Sequence, residues 1–204
     1  MGATEKKYFY PVWLRIWHGF NALGIITLII SGLSIQSIES SVIGFNLAVD
    51  LHNIAGIIVT MSYVCFFIGN LVTHNGTFYV LKLKGFIKRL ISQAYYYSWG
   101  MFHGMDYPFP LSEKRKFNPL QQTIYVLVMY LVVPFVIITG IGLFFPEIII
   151  DNIYGLSGVF VTAIVHSAMG FFISIFLIIH LYVASIGKSP LENFKSIISG
   201  WHHI

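Results

Sequence analysis

Charged side chains are scarce in this chain of 204 residues. Aspartate, glutamate, lysine and arginine make up 10% of the sequence, while hydrophobic residues make up 56%. Soluble domains carry about 25% charged residues, and a soluble fold with so little charge would expose large apolar patches and aggregate. A lipid bilayer covers such a surface, so the composition favours an integral membrane protein in contact with membrane lipid.

Several other features are missing. Cys65 is the only cysteine, which excludes an internal disulfide and a cysteine-ligated iron–sulfur cluster. The sequence has no phosphate-binding glycine loop and no nucleophile elbow, which argues against a soluble catalytic site. The net charge of +4 does not indicate nucleic-acid binding, because the basic residues lie between apolar runs, where membrane proteins carry them.

Four apolar stretches are long enough to cross a hydrocarbon core, which takes about 20 residues. They cover about 12–35, 51–72, 120–145 and 157–186, within one membrane domain of residues 1–204. The first is too long for a cleaved signal peptide. The segment of about 78–99 mixes apolar residues with lysine and arginine and ends in aromatic residues, which is typical of an amphipathic interfacial helix. The predicted fold is an all-α bundle of four transmembrane helices with an interfacial helix between the second and third.

Basic residues are absent from two of the connections. The loops after the first and third stretches contain no lysine or arginine but hold Glu39, Asp50, Glu147 and Asp151. All 12 basic residues lie in the N-terminal region, the long middle connection or the C-terminal tail. The positive-inside rule therefore predicts that both termini and the middle connection are cytoplasmic.

Four of the eight histidines fall inside the apolar stretches, where ionisable residues are costly and usually functional. His18 and His180 are expected near the cytoplasmic side, and His52 and His166 near the outer side. The 14 residues from His166 to His180 are nearly four helical turns, so both project from one face, about 21 Å apart. Each pair joins two helices and is placed to clamp a flat macrocycle, which predicts two haems stacked across the membrane.

Other interpretations of these residues stay open. Buried histidines also make hydrogen bonds between helices, whereas zinc requires three or four ligands in one cluster rather than two distant pairs. Gly32, Gly56 and Gly170 are expected to make room for haem, although glycine equally serves close helix packing. No haem role is predicted for the four remaining histidines. His74, at the inner end of the second stretch, is either an exposed residue or a group that serves a quinone or its protons. The others are His103, His202 and His203.

Three segments resemble a known family. The first is YPVWLRIWHGFNALGIITLIISGLSI, which resembles helix one of the bacterial di-haem cytochrome b subunits of nickel–iron hydrogenases, formate dehydrogenases and thiosulfate reductases. Their third helix is similar to KFNPLQQTIYVLVMYLVVPFVIITGIGL, with its Asn-Pro-Leu-Gln motif and its Thr139–Gly140 pair, and their fourth to VHSAMGFFISIFLIIHLYVASIGKSP. The resemblance covers nearly the whole chain and is closest to the thiosulfate-reductase-like branch.

The resemblance implies haem b at both sites, with His18, His52, His166 and His180 as axial ligands. It also implies a quinone site near the inner haem, where Asn118 matches a quinone-site asparagine; Gln121 and Gln122 are candidates by position. Asn118 is equally suited to cap a helix that begins at Pro119. Arg15 and Lys188 are candidates to hold propionates of the inner haem, or they extend to the membrane surface as ordinary interfacial cations.

The implied function is that of an electron-transfer subunit in the bacterial cytoplasmic (inner) membrane. It would connect an iron–sulfur or molybdenum/nickel oxidoreductase subunit with menaquinone or ubiquinone. The hypothesised direction is from the outer haem to the inner haem and the quinone; a reductase partner would run it in reverse, and the sequence does not set the direction. Two alternatives stay open: a stand-alone cytochrome b quinol oxidoreductase, and a haem-free membrane anchor or small transporter.

Overall fold

The computed structural model describes residues 6–37, 42–110, 112, 115–186 and 189–203. Strand β1, Lys6–Tyr8, leads into helix α1, Val12–Gln36, and helix α2 covers Phe45–Val72. A short 3-10 helix, His74–Tyr79, precedes the interfacial helix α3, Phe86–Ser98, and a second 3-10 turn covers Gly100–His103. Helix α4 covers Pro119–Phe144, followed by a 3-10 turn at Pro146–Ile148. Strands β2, Asn152–Ile153, and β3, Leu156–Ser157, form a hairpin before helix α5, Gly158–Ala184; helix α6, Glu192–Ser199, and strand β4, Trp201–His203, follow.

Helices α1, α2, α4 and α5 are each long and apolar enough to cross a membrane. Most of their large side chains are exposed rather than packed inside the bundle, as expected for helices whose outer surface meets lipid. This confirms the predicted all-α bundle of four transmembrane helices. The buried centre is small and includes Val128, Val133 and Ile173.

Two helix boundaries differ from the sequence prediction. Helix α2 begins at Phe45 rather than near residue 51, because Gly44 starts the helix and the side chain of Asp50 stays exposed. The interfacial helix begins only at Phe86 rather than near residue 78, because Gly85 adopts a left-handed backbone (φ +67°) that ends the preceding extended segment. Gly85 therefore limits the amphipathic helix to 13 residues.

Small residues allow α1 and α2 to approach closely. A Cβ atom added to Gly24 would lie 2.4 Å from Val59 Cγ2, and one added to Gly69 would lie 2.8 Å from the Trp13 ring. Neither position tolerates a larger residue without a shift, which is how glycine brings membrane helices together.

The first and last described strands, β1 and β4, lie on the same side of the bundle, here called the terminal side. Strand β1 pairs antiparallel with β4, with Lys7 opposite His202. Since four spans return the chain to its starting side, the middle connection also lies there. The assignment of this side to the cytoplasm stays a prediction.

Candidate functional site

The inner histidines face each other near the terminal side. His18 lies in the second turn of α1, and His180 lies in the last turns of α5. Their ring centroids are 6.3 Å apart, with an angle of 48° between the ring planes. Two helices that are distant in sequence therefore bring two imidazoles to opposite sides of one gap.

The outer histidines repeat this arrangement. His52, in α2, faces His166, in α5, with ring centroids 6.2 Å apart and an interplanar angle of 72°. The two pairs are separated along α5 by the 14 residues from His166 to His180, about 21 Å of helix. The structure thus brings the four predicted histidines together as two pairs; their ligation of iron stays a prediction.

The spacing within each pair fits a six-coordinate haem iron. A metal–imidazole bond of about 2 Å on each side puts the two nitrogens about 4 Å apart and the ring centres about 6 Å apart. The observed centroid separations of 6.3 and 6.2 Å agree with this. Two imidazoles at each site are the donor set of a haem with two axial histidines. Among the described residues, no group of three or more histidine, cysteine, aspartate or glutamate side chains is arranged to hold a metal ion.

A serine on α1 orients the outer histidine of α2. Ser31 donates its hydroxyl hydrogen to the carbonyl of Thr27 at 2.6 Å, and its oxygen lies 3.0 Å from His52 Nδ1. Because that hydroxyl hydrogen is already used, the oxygen accepts a hydrogen bond from Nδ1–H. This selects the tautomer whose lone pair is on Nε2, the nitrogen available to a metal.

Helix α4 supports the opposite histidine in the same way. Thr139 donates to the carbonyl of Phe135 at 2.9 Å, and its oxygen lies 3.0 Å from His166 Nδ1. A glycine follows each of these hydroxyl residues in the sequence, Gly32 after Ser31 and Gly140 after Thr139. A Cβ added to Gly32 would lie 3.3 Å from His52 Cε1, and one added to Gly140 would lie 3.1 Å from His166 Cε1. A hydroxyl residue followed by glycine therefore both anchors each outer imidazole and leaves space for it.

The glycines expected to make room for haem differ from one another. Gly32 packs against His52, Gly56 has only the Leu28 side chain at 4.0 Å, and Gly170 has nothing within 4 Å. A Cβ at Gly140 would come closer to a histidine than one at any of these three glycines, but a role for Gly140 was not predicted. The signal was present in the Thr139–Gly140 pair, which matches Ser31–Gly32 on the other side of the outer site.

The inner pair has an aromatic environment. The Tyr125 hydroxyl lies 3.3 Å from His180 Nδ1, and Phe176 stacks on the same imidazole at 5.6 Å. Trp17 contacts His18 edge to face and stacks on Phe66 at 4.3 Å. The inner imidazoles are thus held mainly by rings, whereas the outer ones are held by hydroxyl groups.

Asn118 caps helix α4, and its side chain is fully occupied. Its oxygen accepts from the backbone N–H of Gln121 at 2.9 Å, while Gln121 Oε1 accepts from the backbone N–H of Asn118, which forms a capping box. Both amide hydrogens are donated, to the hydroxyls of Tyr97 at 2.9 Å and Tyr107 at 2.8 Å. Asn118 is 2% exposed, so it has no free donor for a ligand.

The other predicted polar residues also have partners within the chain. Gln122 donates to the carbonyls of Phe78 and Val80, which ties α4 to the segment after α2. Arg15 donates to the carbonyl of Ser199 and so connects α1 to the C-terminal helix. Lys188 lies outside the described residues.

The remaining histidines are spread over the terminal side. His74 is exposed and lies 3.3 Å from the Thr77 hydroxyl. His103 stacks on Trp99 at 3.9 Å, and His202 is buried with Nδ1 2.9 Å from Ser196 Oγ. His203 belongs to β4. None of these contacts brings a further histidine to either imidazole pair.

Lys116 is the functional candidate that sequence reasoning missed. It belongs to a basic cluster that looks like an ordinary exposed loop, but the residue is 4% exposed. Burial lowers the pKa of its ammonium group to about 7. No pattern of charge or hydropathy distinguishes it from neighbouring lysines, because its burial comes from contacts with distant segments.

Four membrane-spanning helices that hold two facing imidazole pairs define a helical membrane protein of the cytochrome b class. The family model for prokaryotic cytochrome b561 matches residues 9–200, and the chain therefore belongs to that family. A relative from Escherichia coli (strain K12), named "Putative cytochrome YdhU", is 33% identical over 198 residues, which cover 97% of this chain and 75% of the relative. No solved structure matches the chain. The protein is thus a bacterial membrane cytochrome of the b561 type, and the family implies haem b.

Proposed function

We propose that this chain is a membrane electron-transfer subunit that holds two b haems and connects a partner oxidoreductase with the quinone pool. The observation that carries the proposal is the two facing imidazole pairs, whose ring centroids are 6.3 and 6.2 Å apart, on helices α1, α2 and α5. His18 and His180 would hold the inner haem, and His52 and His166 the outer one. A haem with two axial imidazoles supplies one-electron transfer without an open position for substrate.

The outer site is preorganised by the protein itself. Ser31 and Thr139 fix the Nδ1–H tautomers of His52 and His166, so both Nε2 lone pairs are available to a metal. Hydrogen bonds of this kind orient a metal ligand and raise its basicity. The helical backbone of α1 and α4 carries both hydroxyls, which gives the site a rigid support on each side.

A quinone site is proposed on the terminal side, next to the inner pair. The role that the resemblance gives to Asn118 would act through Tyr107, because both amide hydrogens of Asn118 are already donated. Tyr107 is 36% exposed, and a phenol hydroxyl can donate a hydrogen bond to a quinone carbonyl. Asn118 would therefore position Tyr107 rather than contact menaquinone or ubiquinone directly.

The ligand assignment is tested with single histidine variants purified in detergent. Reduced-minus-oxidised spectra and the haem-to-protein ratio should show two b-type components in the wild type. His18→Ala should remove one component and His52→Ala the other, while His103→Ala, which changes an exposed histidine, keeps both. One haem per chain, or equal losses in all three variants, would refute the two-site arrangement.

The quinone step needs a separate measurement. Tyr107→Phe should slow oxidation of the reduced protein by a soluble quinone analogue and leave both b components in place. Tyr154→Phe, which changes a fully exposed tyrosine of the β2–β3 turn, is the control. Equal rates in the two variants would remove Tyr107 from the site.

Partner and orientation complete the proposal. An affinity-tagged chain expressed at its natural level should co-purify with an iron–sulfur, molybdenum or nickel subunit; isolation alone, with full quinol activity, would favour a stand-alone cytochrome. In vesicles that contain a voltage-sensitive dye, quinone turnover should change the membrane potential, with a sign set by the side that the quinone site faces. The absence of any voltage change would contradict electron transfer across the bilayer.

A further inference from the structure

Lys116 is a buried lysine on the terminal side of the bundle. It lies two residues before the cap of α4 and is 4% exposed. Among the described residues no carboxylate pairs with it, and burial alone accounts for the lowering of its pKa. Lysine is almost never fully buried unless it is paired, and a carboxylate of a bound group would keep this one charged.

The ammonium group is held in a defined position. Lys116 Nζ donates to Asn75 Oδ1 at 3.2 Å and lies 4.5 Å from the centroid of the Tyr10 ring. The rings of Phe78 and Phe117 are at 5.6 and 5.8 Å. Three aromatic rings and an amide oxygen stabilise a positive charge but none of them neutralises it.

A chain of hydrogen bonds fixes this cradle to the membrane helices. Asn75 donates to Asn70 Oδ1 at 2.7 Å, and Asn70 donates to the Tyr130 hydroxyl at 3.1 Å. Tyr130 lies in the π-helical turn Val128–Val132 of α4, a local widening that is common at functional sites. The position of Lys116 is therefore coupled to α2 and α4 rather than to a free loop.

The cradle adjoins the inner imidazole pair from two directions. Phe117, next to Lys116, packs on Tyr125 at 4.9 Å, and Tyr125 reaches His180 Nδ1 at 3.3 Å. Tyr10, beneath the ammonium group, directly precedes the helix that carries His18. Lys116 thus stands at the terminal-side rim of the inner site.

We propose that Lys116 supplies the positive charge for the propionate carboxylates of the haem held by His18 and His180. The inference rests on the inner site of the proposed function. Lys116 would act beside Arg15, for which the sequence suggested the same role: one guanidinium nitrogen of Arg15 donates to the Ser199 carbonyl, and its buried Nε has no hydrogen-bond partner among the described residues. Burial raises the pKa of Tyr10 and of Tyr79, which hydrogen-bonds Asn75, so these phenols stay neutral and provide no competing anion.

A fixed cation beside the inner site favours the reduced iron, which carries one positive charge less than the oxidised iron. Its removal should therefore lower the midpoint potential of the inner component and leave the outer one unchanged. Two unit charges about 10 Å apart at an effective dielectric constant of about 20 interact strongly enough to change a one-electron equilibrium constant about tenfold. A tenfold change corresponds to about 59 mV.

The test is a redox titration of the purified holoprotein, without quinone, followed at the b-type bands. The inner component is identified as the one that His18→Ala removes. Lys116→Met should shift that component downward by tens of millivolts, Lys116→Arg should keep it near the wild-type value, and Lys88→Met, which removes an exposed lysine of α3, should shift neither. Equal shifts of both components, no shift, or the same result for Lys88→Met would overturn the inference.

A second variant covers the case in which Lys116→Met does not accumulate. Asn75→Ala keeps the charge but removes its hydrogen-bond acceptor, so the inner component should again move downward, by a smaller amount; unchanged midpoints would overturn the inference. If the His18→Ala variant keeps every b-type component of the wild type, both the inner site and the role of Lys116 are overturned. Two components that titrate as expected, in a protein inert to quinone, would refute only the quinone part of the proposed function.

Discussion

Gly140→Ala provides the sharpest test of the outer imidazole site. The new Cβ would lie 3.1 Å from His166 Cε1, which is shorter than ordinary carbon contacts, so the imidazole must retreat by a few tenths of an ångström. The adjacent ring atom, Nδ1, is held by the Thr139 hydroxyl at 3.0 Å, so a shift of the ring also disturbs that hydrogen bond. Metal sites tolerate distance errors of only about 0.2 Å, and disturbed supporting contacts cost about 10–100-fold in metal affinity, or about 1.4–2.7 kcal/mol.

Gly142→Ala is the matched control on the same helix. Its Cβ would meet Ile149 at 3.5 Å and Thr162 at 3.8 Å, both ordinary contacts. Both substitutions gain the same helix propensity, about 1 kcal/mol, so a difference between them reports on His166 alone.

The assay is the haem-to-protein ratio during stepwise removal of haem by an apo-haem acceptor, with reduced-minus-oxidised spectra at each step. Gly140→Ala should lose the outer component at a lower acceptor concentration than the wild type, and Gly142→Ala should match the wild type. Identical behaviour of the two variants would show that His166 is not held where haem requires it.

Three further predictions concern the groups around the sites. Thr139→Val keeps the side-chain shape but removes the hydroxyl acceptor of His166 and leaves its backbone hydrogen bond to Val136, so the outer component should bind haem more weakly, by up to about 10–100-fold; unchanged retention in the same acceptor assay contradicts this. Tyr125→Phe removes a longer contact to His180, at 3.3 Å, so only the inner midpoint potential should change in a redox titration, and a change in the outer one argues against the assignment. Burial lowers the pKa of Lys116 from 10.5 to about 7. Between these two pH values the unfolded chain binds more protons than the folded chain, so the thermal stability of haem-free protein should rise from about pH 7 to about pH 10.5. Lys116→Met should flatten that rise in a circular-dichroism melting series, and an unaltered slope would assign the pH dependence to another group.

The four spans followed from the sequence because hydrocarbon thickness and backbone hydrogen bonding leave little choice. About 20 apolar residues in a row must form a helix in lipid, and this holds whichever neighbours the helix meets. The boundaries were less certain: α2 extends to Phe45, and Gly85 delays α3 to Phe86. Such limits depend on individual backbone conformations rather than on average hydropathy.

The histidine pairs also followed from the sequence, because helical rise converts residue number into depth. His166 and His180 share a face of one helix, and the alternation of spans places His52 and His18 at the matching levels. The supporting hydroxyls were not predicted. Serine and threonine are common in membrane helices, and only the packing of α1 on α2 and of α4 on α5 shows which of them reach an Nδ1 atom.

The sequence by itself determined the class of fold, the depth of each histidine and the segregation of basic residues, since each depends on local composition or on a regular helical repeat. Tertiary structure alone decided three further points: Asn118 donates both amide hydrogens to tyrosine hydroxyls, Arg15 donates to the Ser199 carbonyl, and Lys116 is buried. Each depends on which segments, distant in sequence, pack around the side chain, and such contacts cannot be inferred from residue type and spacing.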